Sequence, residues 1–287
     1  MPGVLPQNRC MSDQPITPEL RQWIVEQATA GRSSESVLQS MIDAGWSEDT
    51  ALDALGQTLA EVLQSTAPSR MPGPPPGSGT ATLKAGDREV AVLAALQHPR
   101  VVVFGGLLTA EECAELIDRA GQRLSRSETV ADDGSGSSEI NPARTSDGMF
   151  FTRGENPLVA RIEERIAALL DWPVENGEGL QILRYRTGAE YRPHYDYFDP
   201  ALPGTPHILQ RGGQRLGTLV MYLNTPAKGG ATTFPDAQFE VMPVQGNAVF
   251  FSYDLPLPQT KTLHGGAPVT EGEKWVATKW LRASRFE

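Results

Sequence analysis

The order of periodicities along this 287-residue chain predicts an α+β protein: a jelly roll flanked by helices on one side and preceded by a small N-terminal all-α three-helix bundle. Three observations carry that expectation. Residues 12–66 read as three short amphipathic helices. Residues 67–79 are dominated by Pro, Gly and Ser. From residue 80 onward, helical patterns give way to many short apolar runs bounded by turn residues. The expected organisation is a bundle over 12–66, a linker over 67–79 and a large domain over 80–287.

Thr17-Pro18 is a helix start, an N-cap followed by proline at the first helical position, and Leu20, Trp23, Ile24 and Ala28 continue at helical spacing towards Gly31. A second helix carries Val37, Leu38, Met41 and Ile42 and stops at Gly45. Ser47 caps a third, in which Ala51, Leu52, Leu55, Leu59, Val62 and Leu63 are expected to form one apolar stripe. Gly73-Pro74-Pro75-Pro76-Gly77 then excludes helix and central strand, because proline fixes φ and lacks a donor.

In the large domain, the continuous apolar run Val101-Val102-Val103-Phe104 reads as a buried strand. Thr109-Ala110-Glu111-Glu112 is a capping box, with Leu108 placed to staple onto Cys113, and opens a helix running to Gly121. Asn156-Pro157 opens another, whose Leu158, Ile162, Ile166 and Leu169 share a face before Trp172-Pro173 ends it. Strands are expected at Leu180 to Tyr185, Leu216 to Leu223, Ala248 to Tyr253 and Trp275 to Arg282. Ser125 to Ala143 and Asp199 to Gly213 are polar and turn-rich, readable as surface loops or as flaps over a bound ligand.

The chemistry-bearing pattern is His194-Tyr195-Asp196 with a distant His264. Two imidazoles and one carboxylate hold non-heme Fe(II) on one face and leave the other face open. On a strand, residues i and i+2 point the same way, so His194 and Asp196 can share an ion while Tyr195 faces away. Taken alone, a His-x-Asp triplet is also what a chance surface pair looks like. Two of the four histidines falling at ligand positions, and Gly265-Gly266 after His264 permitting close approach, favour the metal. Lys274 reads either as solvated surface or as an anchor for a cosubstrate carboxylate. Its strand face, shared with Val276, Thr278 and Trp280, favours the anchor, since a charge there needs a partner.

Leu183-Arg184-Tyr185, Tyr191-Arg192-Pro193-His194-Tyr195-Asp196, Gly212-Gly213-Gln214-Arg215, Met221-Tyr222-Leu223, Gly229-Gly230-Ala231-Thr232, Leu263-His264-Gly265-Gly266 and Lys274-Trp275 occur in one order. Together with Arg144-Thr145-Ser146 they closely resemble collagen-type prolyl 4-hydroxylases of the Fe(II)/2-oxoglutarate dioxygenases, over about residues 99–284. The resemblance implies a double-stranded β-helix and a metal site of His194, Asp196 and His264. It implies a 2-oxoglutarate site with Lys274 on the far carboxylate, Tyr185 and Thr232 hydrogen-bonded to it, and Tyr222 lining the pocket; O₂ is the second cosubstrate and L-ascorbate the reductant. Tyr191, Arg215 and Trp280 match positions that touch the peptide, although Arg215 also reads as an ion-pair residue, and Tyr185 and Tyr222 also read as packed core aromatics. The implied reaction is 4-hydroxylation of prolyl residues in a peptide or protein, with 2-oxoglutarate decarboxylated to succinate. The two polar segments correspond to flaps beside the peptide groove. A free amino acid or another small molecule is the alternative substrate, and a catalytically idle protein-interaction module the alternative of another class.

A chain of this length with 39% apolar content can bury a full core. Its net charge of −10, without a basic run, argues against nucleic acid. The first ten residues lack an apolar core segment, Met11 is a second candidate start, and no run approaches the roughly 18 apolar residues of a membrane span, so a cytoplasmic enzyme off the membrane is expected. Cys10 and Cys113 make no disulfide framework, and Cys113 reads as a small core residue. Acid concentrates in residues 12–66, with nine acidic and two basic side chains. That bundle weakly resembles ubiquitin-associated modules and is expected either to dock a protein or to serve a structural role.

Overall fold

A computed structural model describes residues 15–29, 32–66, 70–74, 80–127, 129–130, 138–139, 145–200, 202 and 204–287. The chain divides into two compact units between residues 67 and 68. Cys10, Met11, Gly31, most of the first polar segment, Arg144 and parts of the Pro/Gly stretch lie outside the described residues. Among the described residues, no helix is long and apolar enough to cross a membrane.

The first unit is three helices, α1 (Pro18–Thr29), α2 (Ser34–Asp43) and α3 (Glu48–Thr66). Thr17 Oγ1 accepts from the Leu20 amide, Ser33 Oγ from the Ser36 amide and Ser47 Oγ from the Thr50 amide, so all three helix starts are closed by side chains. Leu20, Trp23, Ile24, Val37, Met41, Trp46, Ala51, Ala54 and Leu55 form its core. The expected stripe on α3 needs one correction: Leu52 is 48% exposed and Ala54 takes the inward place. At 100° per residue, Ala51, Ala54, Leu55 and Thr58 share a face and Leu52 falls beside it. The side chain of Leu63 lies outside the described residues.

The second unit begins before the expected boundary at residue 80. The Gly73 amide donates to Leu170 O at 2.8 Å, Arg100 donates to Pro74 O, and Arg70 pairs with Asp171 at 2.5 Å. Residues 70–74 therefore pack as part of this unit, where composition alone suggested free linker; prolines without donors can still bury their rings.

The unit is built on β1 (Thr82–Ala85), β2 (Arg88–Leu96), β3 (Arg100–Gly105), α4 (Ala110–Gly121), β4 (Asp147–Phe151), α5 (Pro157–Leu170), β5 (Leu180–Tyr185), β6 (Tyr191–His194), the short α6 (Thr205–Leu209), β7 (Arg215–Tyr222), β8 (Thr232–Phe234), β9 (Phe239–Val241), β10 (Ala248–Ser252), β11 (His264–Gly266) and β12 (Lys274–Arg282). The large sheet runs β1-β2-β3-β10-β7-β12-β5-β4, completed by Ser125–Arg126, and the small sheet runs β9-β8-β11-β6, each neighbouring pair antiparallel. The small sheet closes over the large one to make the jelly roll, and α4 and α5 cover the opposite face.

Alternation explains why the central strands are buried on both sides. Val249 and Phe251 of β10 pack with Phe234 and Val241 between the sheets, whereas Ala248 and Phe250 join Ile162, Ile166 and Leu169 of α5. On β12, Trp275, Ala277 and Leu281 meet the helices, and Lys274, Val276, Thr278 and Trp280 point into the barrel. Lys279, also on the helix side of this strand, is buried against Glu163 of α5 at 2.5 Å. Both helices are capped as expected. Thr109 and Glu112 form the reciprocal capping box, and Asn156 accepts from the Leu158 and Val159 amides. Glu112 also receives two N–H groups of the buried Arg165, which grips Asp87 with its other edge.

Removing one partner of such a network leaves a charge buried and unpaired. Arg165→Ala is expected to destabilise the second unit by about 3–5 kcal/mol, and Thr109→Ala by about 1 kcal/mol, both read from denaturant midpoints at unchanged slope.

Candidate active site

The open end of the barrel gathers residues from six strands around one cavity. His194 ends β6 and His264 begins β11, and the two are direct cross-strand partners in the small sheet, with ring centroids 4.3 Å apart. The register shifts between His264 and Gly266, a local irregularity of the kind that re-aims side chains beside active sites. Asp196 is not on a strand with His194, as the i and i+2 argument assumed. It sits in the bend just after β6, and the bend carries its carboxylate between the two imidazoles, 3.6 Å from His194 Nε2 and 3.5 Å from His264 Nε2.

The hydrogen bonds around these three groups leave their ligating atoms directed at one point. His194 Nδ1 lies 2.9 Å from Arg192 O and His264 Nδ1 3.0 Å from Thr262 O. A carbonyl only accepts, so each Nδ1 carries the proton and each Nε2 presents a lone pair. The candidate ligand atoms of all three residues lie within 4.8 Å of one another. Burial and the neighbouring His194 push the His264 pKa down to about 4, so its imidazole is neutral at ordinary pH. Burial opposes the charge of Asp196, but the facing imidazoles and Arg215 hold its carboxyl well below the usual range. Two imidazoles and one carboxylate fit a divalent first-row transition metal with open positions.

Gly265 has a different task from the one its sequence suggested. A Cβ there would meet Tyr191 O at 2.9 Å and Pro193 N at 3.2 Å. The absent side chain admits the backbone of β6, and with it His194, rather than a ligand.

Lys274 enters the same cavity from β12. It is 4% exposed, and no acidic partner is found for it among the described residues. Its Nζ instead lies 5.7 Å from the ring centre of Tyr185, its cross-strand partner, and 5.6 Å from that of Tyr222. Burial alone draws its pKa down to about 7. Thr232 of β8 lines the cavity, and Tyr222 stands behind it, its buried hydroxyl donating to Thr232 Oγ1 at 2.8 Å. Tyr191 stacks on His194 with centroids 3.7 Å apart. Trp280 lines the cavity too, and its indole Nε1 is buried without a hydrogen-bond partner among the described residues.

Arg215 lies beneath this surface. Its Nε and Nη2 donate to the two oxygens of Glu178 at 2.7 and 3.0 Å, its Nη1 reaches Asp196 O, and its guanidinium lies over the rings of Trp280 and Phe198. Arg282 shares Glu178 at 3.0 Å. Glu178, Thr218 and Tyr253 went unnoticed in the sequence. The signal for Thr218 was available, as a lone hydroxyl at an inward position of an apolar strand. Glu178 precedes β5 in a stretch with no periodicity to place it. Of the two polar segments, the first lies largely outside the described residues, and the second contains α6.

Residues 180–282 match the model of the 2OG-Fe(II) oxygenase superfamily. Prolyl 4-hydroxylase 2 of Arabidopsis thaliana is 40% identical over 213 residues, 66% of this chain and 69% of the relative. Probable prolyl 4-hydroxylase 6 of the same plant is 40% identical over 209 residues, 66% of this chain and 70% of the relative. Among solved structures, a viral collagen prolyl hydroxylase from Paramecium bursaria Chlorella virus-1, in its 2OG complex, is 29% identical with a TM-score of 0.49, covering 63% of this chain and 95% of its own.

The four histidines give an internal control, since His98 and His207 are exposed and remote from the cavity lining. His264→Ala is expected to abolish stoichiometric Fe(II) binding in anaerobic titration, while His207→Ala leaves it intact; equal binding by both would remove the site.

Proposed function

Because the chain belongs to the prolyl 4-hydroxylase family of Fe(II)/2-oxoglutarate oxygenases, we propose that it hydroxylates prolyl residues at the 4-position within a peptide or protein. The single observation that carries this reading beyond the fold is Lys274, a buried cation without an acidic partner among the described residues, sharing one cavity with the His194, Asp196 and His264 carboxylate–imidazole set. An unpaired ammonium in a nearly dry site is costly, so the site awaits an anion. A dicarboxylate whose near end meets the metal and whose far end meets Lys274 satisfies both.

In this reading His194, Asp196 and His264 hold Fe(II), Lys274 fixes the far carboxylate of 2-oxoglutarate, and the hydroxyl of Thr232, oriented by Tyr222, adds a hydrogen bond beside Tyr185. When bound, the iron with 2-oxoglutarate and O₂ supplies the oxidation, yielding succinate and CO₂ as the prolyl C4–H becomes C4–OH. The protein's share is placement and exclusion of water. Tyr191 and Trp280 form the aromatic edge of the cavity, where a pyrrolidine ring can pack and the unpaired indole N–H can donate to a peptide carbonyl. Arg215 supports Asp196 and Trp280 from below, its donors already engaged by Glu178. Ascorbate serves as reductant when the iron is oxidised without substrate.

Turnover of proline-containing peptides set against free proline, read as succinate and as a gain of one oxygen by mass spectrometry, tests the substrate class. Oxygen gain on the free amino acid alone would overturn the peptide reading. Lys274 gives a pH test with a defined sign. Its ammonium form binds the carboxylate, and in the free protein that form is lost as pH rises through about 7. Affinity for 2-oxoglutarate should therefore weaken above pH 7, by at most about tenfold per unit, and Lys274→Met should both raise the KM and flatten the dependence in calorimetric titration.

A further inference from the structure

We propose that Thr218 and Tyr253 form a hydrogen-bond relay that holds Asp196 in its metal-ligating orientation, making both of them positioning residues for the metal. The proposal rests on the reading of His194, Asp196 and His264 as the metal site. Thr218 Oγ1 lies 2.7 Å from Asp196 Oδ2 and 3.0 Å from Tyr253 Oη, and all three side chains are buried. The direction of the relay follows from valence. A carboxylate only accepts, so the single hydroxyl hydrogen of Thr218 goes to Asp196, and Tyr253 must donate to the lone pair of Thr218. Burial raises the Tyr253 phenol well above its usual range, so it remains a donor throughout the working pH range.

The relay is needed because of where Asp196 sits. His194 and His264 are anchored by the pairing of β6 and β11 and by their own Nδ1 bonds, but Asp196 lies in a bend beyond the strand end. Its backbone is touched by Arg215 only at 3.4 Å. The donor that fixes the carboxylate itself from within the barrel is Thr218, on the inner face of β7 opposite Phe251 and Trp280. Tyr253 just past β10 is in turn fixed, its amide donating to Leu216 O and its ring meeting Tyr197 edge-on at 6.0 Å. The large sheet thus steadies a ligand that the small sheet's strand cannot hold. A hydroxyl at this inward position, where Val220 on the same face shows that apolar packing is available, hydrogen-bonds these two groups and, among the described residues, no other.

Metal affinity reads the relay without any need for turnover. The full-length protein is titrated with Mn(II), free ion being counted by electron paramagnetic resonance, and thermal melts confirm folding of each variant. Thr218→Val is expected to weaken binding by about 10–100-fold, the usual cost of losing a partner of a metal ligand. Tyr253→Phe, which leaves Thr218 able to donate, should cost roughly two- to tenfold. Thr218→Ser should restore binding to within about threefold, and the double variant Thr218→Val with Tyr253→Phe should bind no more weakly than Thr218→Val alone, since the two act in series. Affinity at the unaltered level in Thr218→Val, or in Tyr253→Phe should Thr218→Val not fold, overturns the proposal; full additivity in the double variant overturns the relay. His194→Ala in the same titration separates the two readings, because undiminished Mn(II) binding there removes the metal site itself.

Discussion

The pairing of β6 with β11 is the constraint on which the rest of this molecule depends. Those two short strands place His194 directly opposite His264 although seventy positions separate them along the chain, and the imidazoles meet because the backbones do. Gly265 is what lets them meet: any side chain at that position would strike the β6 backbone. A pair of strands this short has little independent stability. It is held by β8 on one side and by the aromatic layer of Phe234 and Phe251, which pack against each other and against the His264 ring beneath it.

The large sheet treats its two lysines on β12 in opposite ways, and the contrast separates structure from function. Lys279 faces the helices and is neutralised by Glu163, so that its charge ties α5 to the sheet. Lys274, five residues earlier on the other face, is equally buried, and among the described residues its ammonium faces the rings of Tyr185 and Tyr222 with no acidic partner. Protein interiors rarely leave a cation unmatched unless the match arrives from outside. The same logic applies to the indole N–H of Trp280, buried with no acceptor among the described residues.

Around the ligands, polar groups are arranged in layers that run from the barrel floor to the rim. Glu178 joins Arg215 and Arg282, Arg215 underlies Trp280 and the Asp196 backbone, and Tyr253 acts through Thr218 on the Asp196 carboxylate. From these layers the imidazoles of His194 and His264 and the carboxylate of Asp196 face the cavity, beside Thr232, Lys274 and Trp280. Rigid support of this kind matters because a metal ligand displaced by a fraction of an ångström is a poor ligand.

Periodicity and local chemistry alone determined much of this protein. The capped helices at Thr109 and Asn156, the three-helix bundle, the inward face of β12 and the candidate set His194, Asp196, His264 and Lys274 were all legible, because helix caps, alternation and residue type are local properties. Tertiary structure decided what local rules cannot reach. It put Asp196 in a bend rather than on a strand, turned Leu52 outward, packed residues 70–74 against the second unit, and gave Gly265 to a neighbouring backbone. It also engaged Arg215 with Glu178 and brought Thr218 and Tyr253 to the same carboxylate. The physical reason is common to all of these: which partner a polar or small residue meets depends on strands distant along the chain, and sequence spacing encodes the direction a side chain points but not what it finds there.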